Sequence, residues 1–212
     1  VTPTFQGKRV VVMGLGLHGG GVATAHWLTQ HGAKVLVTDK RSSAVLRLSV
    51  AKLQHRSSIT FVLGRHRLKD FQNADLVVQN PGVPANSPYL AGARHHGIPV
   101  VNEATLFFQH CPCPIIGITG TKGKRTTSTL VFELLQEKFG RRVVLAGNIR
   151  TTAMLDILDG LQPSSLVVLE LSSWQLEGLP VIKKSPHIAV VTNLLDDHLD
   201  RYASRASYFA AK

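Results

Sequence analysis

Gly120-Thr-Lys-Gly-Lys124 is the stretch of this chain best equipped for chemistry, and that chemistry is phosphate binding. Glycines let backbone N–H groups close on phosphate oxygens, Lys124 brings a mobile positive charge, and a following helix adds the partial charge of its N-terminus. Thr126 and Thr127, just beyond, offer hydroxyls. Glu170 ends the apolar run Leu166–Leu169, the position of a hard anionic oxygen able to order Mg²⁺. His198, within Asp196-Asp-His-Leu-Asp-Arg-Tyr202, is a further candidate ligand, although Asp196 and Asp197 also suit helix capping. The loop departs twice from the usual x-x-G-K pattern. Ile118 stands where its first glycine belongs, and Arg125 where a Mg²⁺-binding Ser or Thr is expected. A surface turn ahead of a helix also uses Gly and Lys. The uninterrupted apolar strand before this loop favours a nucleoside triphosphate site instead.

Positioning such a loop takes a buried parallel strand and a helix. Ile115, Ile116 and Ile118 supply the first, and Leu130, Phe132, Leu134 and Leu135 mark the second. Further strands are expected at Arg142–Ala146, Ser165–Leu171 and His187–Val191, with a helix near Thr152–Leu158. Each strand ends in polar candidates: Asn148, then Glu170 through Gln175, then Asn193 through His198. Tyr208–Lys212 reads as a helix start on which the sequence stops, as if cut inside a domain.

The first half repeats the alternation. A strand, Lys8–Met13, runs into Gly14-Leu-Gly16-Leu-His-Gly19 and a helix through Val22, Ala25, Trp27 and Leu28. A second strand, Lys34–Val37, leads to Asp39, 20 residues after Gly19. This is a dinucleotide fingerprint, with an acid placed to meet a ribose, although the same glycines also serve tight helix–strand packing. Strands follow at Ile59–Leu63, Asp75–Gln79 and Ile98–Val100, with helices around Ala44–His55 and Pro88–His96. Asn80-Pro-Gly82-Val-Pro84 closes one strand, where Gly82 either admits a ligand or simply ends the strand. The fold class expected is α/β: a Rossmann-like parallel sheet domain over residues 1–110, then a P-loop-type ATPase domain over residues 111–212, truncated at its C-terminus. Cys111-Pro-Cys-Pro114 reads as the stiff linker between them.

An apolar share of 44% and a charged share of 17% describe an ordinary globular protein, with no run long enough to span a bilayer and no export segment. The net charge of +11 lies mostly in residues 1–110, which hold 12 Lys/Arg against 4 Asp/Glu; the rest holds 12 against 9. Those cations are scattered, without the aromatic-interleaved stripe of a nucleic-acid binder, and a polyanionic small substrate explains them as well. Cys111 and Cys113 are too close for an unstrained disulfide and lack partners for a zinc set, so free thiols in a reducing cytoplasm are expected. Of the histidines, His95 and His96 lie on a polar helix end. His18, His26, His31, His55, His66 and His110 are isolated and expected mostly at the surface, with no convincing metal set.

Taken together, Gly120–Lys124, Gly147-Asn148-Ile149, Leu169-Glu-Leu-Ser-Ser-Trp-Gln-Leu-Glu177, Thr192-Asn193 and Asp197-His-Leu-Asp-Arg-Tyr202 resemble the Mur ligase family of bacterial cell-wall synthesis. The resemblance runs over the whole chain and covers a UDP-binding domain and most of a central ATPase domain; the family's third domain has no counterpart. It implies an ATP- and Mg²⁺-dependent ligase that activates a nucleotide-linked carboxylate as an acyl phosphate and joins it to an amine. The branch it is most similar to adds D-glutamate to UDP-N-acetylmuramoyl-L-alanine, so those are the implied partners, with a monomer expected and neither nucleic acid nor membrane. By resemblance, Gly120, Thr121, Lys122, Gly123, Lys124, Arg125, Thr126 and Thr127 surround ATP, with Lys124 on the β- and γ-phosphates. Glu170, His198 and Thr126 serve Mg²⁺, and Asn148 contacts substrate or nucleotide. Leu17 and His18 lie along the substrate diphosphate, Asp39, Lys40 and Arg41 around uracil and ribose, and Gly82 along the same ligand. Lys212 matches a lysine that the family carbamylates. Left as an ammonium beside Mg²⁺ it would be repelled by roughly several kcal/mol, and here it is expected frayed and unmodified.

Arg125, Arg150 and His18 depart from the family's usual Ser or Thr, Gly and Thr at those places. Arg125 is expected to weaken ATP binding without abolishing it. Two other classes stay open: a NAD-binding oxidoreductase or sensor built on Gly14–Gly19, and a basic nucleic-acid module. Another Mur-type ligase with a different amino acid is the nearer alternative, since acceptor choice rests largely in the third domain.

Overall fold

The computed structural model describes residues 4–53, 57–84, 86–149 and 152–212. It divides into two compact units, Val1–Glu103 and Ala104–Lys212. His55 and Arg150 lie outside the described residues.

In the first unit, β1 (Arg9–Met13) leads through the glycine turn to α1 (Gly20–Gln30), β2 (Lys34–Asp39), α2 (Arg47–Ala51), β3 (Ile59–Leu63), α3 (Leu68–Gln72), β4 (Leu76–Gln79), α4 (Pro88–His95) and β5 (Val100–Val101). All strands are parallel, in the order β3-β2-β1-β4-β5. Valines at 10, 11 and 12 are buried because helices cover both faces of the sheet's middle strand. Phe71 of α3 and Leu90 and Ala93 of α4 pack on Val11, Met13 and Val77. Strand order reverses between β1, which pairs with β2, and β4, so a crevice opens at the C-terminal ends of these two strands.

In the second unit, α5 (Glu103–His110) begins at the boundary and is followed by β6 (Ile115–Thr119), α6 (Lys124–Phe139), β7 (Val143–Gly147), α7 (Met154–Leu158), β8 (Leu166–Glu170), α8 (Ser173–Leu176), α9 (Leu179–Ile182), β9 (Ile188–Val191) and α10 (Arg205–Ala210). The parallel sheet runs β7-β8-β6-β9. Every residue of β6 is buried, whereas β9, at the edge, leaves Ile188 and Val191 exposed. Val131, Phe132 and Leu135 of α6 pack against Ile116, Ile118 and Val168.

The main differences from expectation are in short helices. The sequence reading left α3, α5, α8 and α9 without helical status. They have eight residues or fewer, a length over which a 3.6-residue period is weak, although the equally short α2, α4 and α7 fall within expected helices. The helix expected over Ala44–His55 is confined to Arg47–Ala51 among the described residues. Tyr208–Lys212 is not a helix start: α10 begins at Arg205 behind a Ser204–Ser207 capping box, and Lys212 follows its last turn. Cys111–Pro114 joins α5 to β6 inside the second unit.

Candidate active site

Gly120 and Gly123 carry the turn from β6 into α6 with φ of 141° and 81°, a backbone region that L side chains rarely adopt. A side chain on Gly120 would also run into the Thr192 hydroxyl. The loop is held from the end of β9. Thr121 N–H donates to Asn193 O at 3.0 Å, Lys122 N–H donates to Asn193 Oδ1 at 2.9 Å, and the Thr192 hydroxyl donates to Lys122 O at 2.6 Å. The Thr121 hydroxyl lies 3.1 Å from Tyr208 Oη and donates to Leu195 O at 3.1 Å. Thr121 is thereby a buried brace for the loop, with its side chain already engaged.

Two ammonium groups converge on one carbonyl. Lys124 Nζ donates to Gly120 O and Thr121 O, each at 2.9 Å, and Lys212 Nζ donates to the same Gly120 O at 2.9 Å and lies 3.4 Å from Thr119 Oγ1. Burial, and then the charge of Lys124, pulls the Lys212 ammonium down to about 8, with Asp197 opposing. Lys212 is therefore not frayed as expected: it is half-buried and tethered, over the Tyr208 ring at 4.9 Å.

Glu170, at the end of β8, is 3% exposed. Its Oε1 accepts from Asn148 Nδ2 at 3.2 Å, while Oε2 is buried without a hydrogen-bond partner. The only cation paired with that oxygen among the described residues is Arg125, whose Nε stands 3.7 Å away. A buried carboxylate oxygen left unbonded is costly, and a divalent cation would satisfy it. The donor set thus fits Mg²⁺ at Glu170. Thr126 is exposed, and among the described residues no hydrogen bond links it to Glu170. Thr127 is half-buried on α6, its N–H closing the first helical turn on Gly123 O at 2.9 Å.

His198 sits in a left-handed backbone conformation, φ 54°, with its N–H on Asp197 Oδ1 at 2.9 Å. Its ring lies 5.3 Å from that of Trp174 and 6.0 Å from that of Tyr208. Among the described residues, no group of three His, Cys, Asp or Glu side chains gathers as a metal cage. Behind Trp174, Glu177 accepts from Tyr202 and pairs with Arg201 at 3.2 Å, an arrangement the sequence did not single out. Burial and the bond to Glu177 raise the Tyr202 phenol to about 12, so it stays a donor.

In the first unit, Gly14, Gly16 and Gly19 all have positive φ, at 92°, 67° and 95°. Asp39 is buried, and both its oxygens are occupied: Oδ2 accepts from Gly16 N–H at 3.1 Å and Oδ1 from Arg41 N–H at 2.9 Å. The acid expected to meet a ribose therefore also ties the end of β2 to the glycine turn. Leu17, His18, Lys40 and Arg41 are exposed around it, and Gly82 N–H bonds back to Asn80 Oδ1 at 3.1 Å. His66, expected at the surface, is half-buried. Its Nδ1 lies 2.8 Å from Thr38 Oγ1 and its ring 5.0 Å from that of Tyr89; burial first, then Lys40, lowers its pKa. The β2–β3 register, which pairs Thr38 with Val62 and Asp39 with Leu63, brings His66 onto Thr38, and nothing local in the sequence signals it. A cavity of about 520 Å³, lined among others by Arg9, Lys34, Leu36 and Asn73, opens at the opposite ends of these strands and holds none of the predicted residues.

Two parallel α/β units, the second with a phosphate-loop layout, define the class of protein. The description "Mur ligase MurD-like, N-terminal domain" matches residues 8–102, and "Mur ligase middle domain" matches residues 118–212. The chain belongs to the Mur ligase family, a family of ATP-using ligases. It is 49% identical over 208 residues to the UDP-N-acetylmuramoylalanine–D-glutamate ligase of Roseiflexus sp., covering 98% of this chain and 44% of that protein. The ligase of the same name from Treponema pallidum is 38% identical over 220 residues, covering 98% and 41%. The chain thus spans less than half the length of these curated relatives. Among solved structures, the UDP-N-acetylmuramate–alanine ligase of Thermotoga maritima shares the fold, with a TM-score of 0.56 and 24% identity over 96% of this chain and 46% of that one. No helix among the described residues is long and apolar enough to cross a membrane.

Proposed function

We propose that this chain is the UDP-substrate-binding and ATP-binding part of a UDP-N-acetylmuramoylalanine–D-glutamate ligase, working in the cytoplasm in peptidoglycan synthesis. In this reading residues 1–110 take the nucleotide-linked substrate and residues 111–212 take ATP. The observation that carries it is the gathering of Lys124, Lys212 and the Gly120 turn in one unit whose buried Glu170 has an oxygen without a hydrogen-bond partner.

ATP supplies the phosphoryl group that activates the substrate carboxylate, and Mg²⁺ neutralises phosphate charge. The chain's own share is positioning and electrostatics. The two carbonyl bonds of Lys124 hold its ammonium at the mouth of the loop, from which it turns to β- and γ-phosphate oxygens. Glu170 supplies the anionic oxygen for the metal, oriented by Asn148. His198, its ring 5.3 Å from that of Trp174, would serve as a ligand for a second cation. Its pKa, lowered to about 8, brings Lys212 closer to the free amine, the form that would add CO₂ and release a proton to become an anionic carbamate. In the first unit, Leu17 and His18 line the diphosphate, and Lys40 and Arg41 the uridine end.

Calorimetry on the whole chain tests this. UDP-N-acetylmuramoyl-L-alanine is expected to bind without ATP, UDP to compete with it, and NADH to have no effect. Binding of NADH with no response to UDP would return the first unit to the oxidoreductase class.

A further inference from the structure

Cys111 and Cys113, the chain's two cysteines, have no part in the function proposed above. Cys111 closes the C-terminal turn of α5, its N–H donating to Phe107 O at 2.8 Å. Cys113 is buried two residues before β6. Both are free thiols, as their short spacing leads one to expect, and the turn places their sulfurs in contact. Cys111 Sγ lies 3.7 Å from Cys113 Sγ and 3.5 Å from Cys113 O. Pro112 restricts the intervening backbone, so few conformations separate the two side chains. Forming a bond of about 2.05 Å asks the sulfurs to approach by roughly 1.6 Å. Lys184 adds a cation beside the turn, its Nζ bonded to Phe108 O at 2.8 Å and Gln109 O at 3.4 Å. A metal is disfavoured, because no third His, Cys, Asp or Glu joins the pair among the described residues.

We propose that Cys111 and Cys113 form a dithiol–disulfide couple, in which Cys111 attacks a low-molecular-weight disulfide and Cys113 resolves the product. The Cys111 thiolate attacks one sulfur of RSSR, forming Cys111–S–S–R and releasing RS⁻, which takes up the proton Cys111 gave up. The Cys113 thiolate then attacks Cys111 Sγ, closing the ring and expelling the second RS⁻, which takes up the Cys113 proton. Two protein thiols lose two electrons and two protons, and RSSR gains them as two RSH. The asymmetry between the thiols fits these roles. The Cys113 thiol bonds to Cys111 sulfur and, with Lys184, brings the Cys111 thiol down to about 7, against the effect of burial. The same bond holds Cys113 up as a thiol. Capping Cys111 removes the thiolate that Cys113 was serving, which frees Cys113 for the second step.

The test treats the whole chain with glutathione disulfide at pH 7 and follows intact mass and proteolytic peptides. The wild type is expected to lose two hydrogens, mapped to a Cys111–Cys113 bond. Cys113→Ala should stop at a glutathione adduct on Cys111, and Cys111→Ala should stay unmodified on the same timescale. In the wild type, iodoacetamide should label Cys111 before Cys113, and about threefold faster than an ordinary thiol, since a roughly sixteenfold gain in thiolate is partly offset by lower nucleophilicity. That order of labelling needs no variant and serves even if Cys113→Ala fails to fold. A lasting glutathione adduct on wild-type Cys111, a disulfide only between chains, or Cys113 labelled first would overturn the proposal.

Discussion

Replacing Arg125 by Ser should tighten the binding of a divalent cation, and of ATP with it. Arg125 holds its guanidinium Nε 3.7 Å from the orphan Oε2 of Glu170, on the side where a metal would approach. At that separation, one pair of unit charges is worth about 4.5 kcal/mol at an effective dielectric of 20 and about 1.1 kcal/mol in bulk water. The Arg125 side chain is 64% exposed, so solvent screens it and the lower end governs, about 1–2 kcal/mol. Any metal entering beside Glu170 must displace that attraction and then tolerate a nearby cation. The expectation is therefore a gain of about five- to thirtyfold in Mn²⁺ affinity for Arg125→Ser, read by electron paramagnetic resonance of free Mn²⁺. Calorimetric titration with ATP·Mg²⁺ should move the same way. The gap should narrow in 0.5 M salt, because the pair is partly exposed. In the absence of metal the variant should lose stability, since the buried Glu170 Oε2 then has no cation opposite among the described residues. Equal or tighter binding by the wild type would refute the reasoning and mark Arg125 as a phosphate ligand.

Two further expectations follow from neighbouring contacts. Lys212 has a folded pKa of about 8, below its ordinary value of 10.5, so the unfolded chain binds more protons between those values. Stability should therefore rise as pH climbs from about 8 to 10.5, with the penalty fully present below about 8; Lys212→Met should flatten that rise in the urea midpoint plotted against pH. Asp39→Ala removes the acceptor for the Gly16 and Arg41 N–H groups. Hydrogen bonds to a charged group are worth about 1.5–3 kcal/mol, so UDP-substrate affinity should fall by about tenfold or more, with ATP affinity unchanged. An unaltered UDP-substrate titration would count against Asp39 as the tie that shapes the glycine turn.

Much of the fold was legible because its central strands are short apolar runs that end in glycine or polar residues. Val10–Met13, Ile115–Ile118 and Val167–Leu169 are buried, which makes them readable without any partner in view. Gly120 and Gly123 announced the tight turn from β6 into α6 for a related reason, since positive φ leaves few other residue choices. The short helices α3, α8 and α9 escaped because a single turn carries no period, and because α9 opens on Leu179-Pro180, where proline at a first turn looks like a break.

Sequence by itself determined the two α/β units, the order of their strands along the chain and the residue types available for phosphate and metal chemistry, because burial and glycine turns are local demands on residue type. Tertiary structure alone decided which groups meet. It set Arg125 against Glu170 across 45 positions, Lys212 on the carbonyl of Gly120 across 92, and Asp39 on the N–H of Gly16. It also brought the Cys111 and Cys113 sulfurs together, through a backbone course that spacing does not reveal. The physical reason is that such pairings depend on strand register and on the direction of each loop after its strand. Those are settled by packing of the whole sheet.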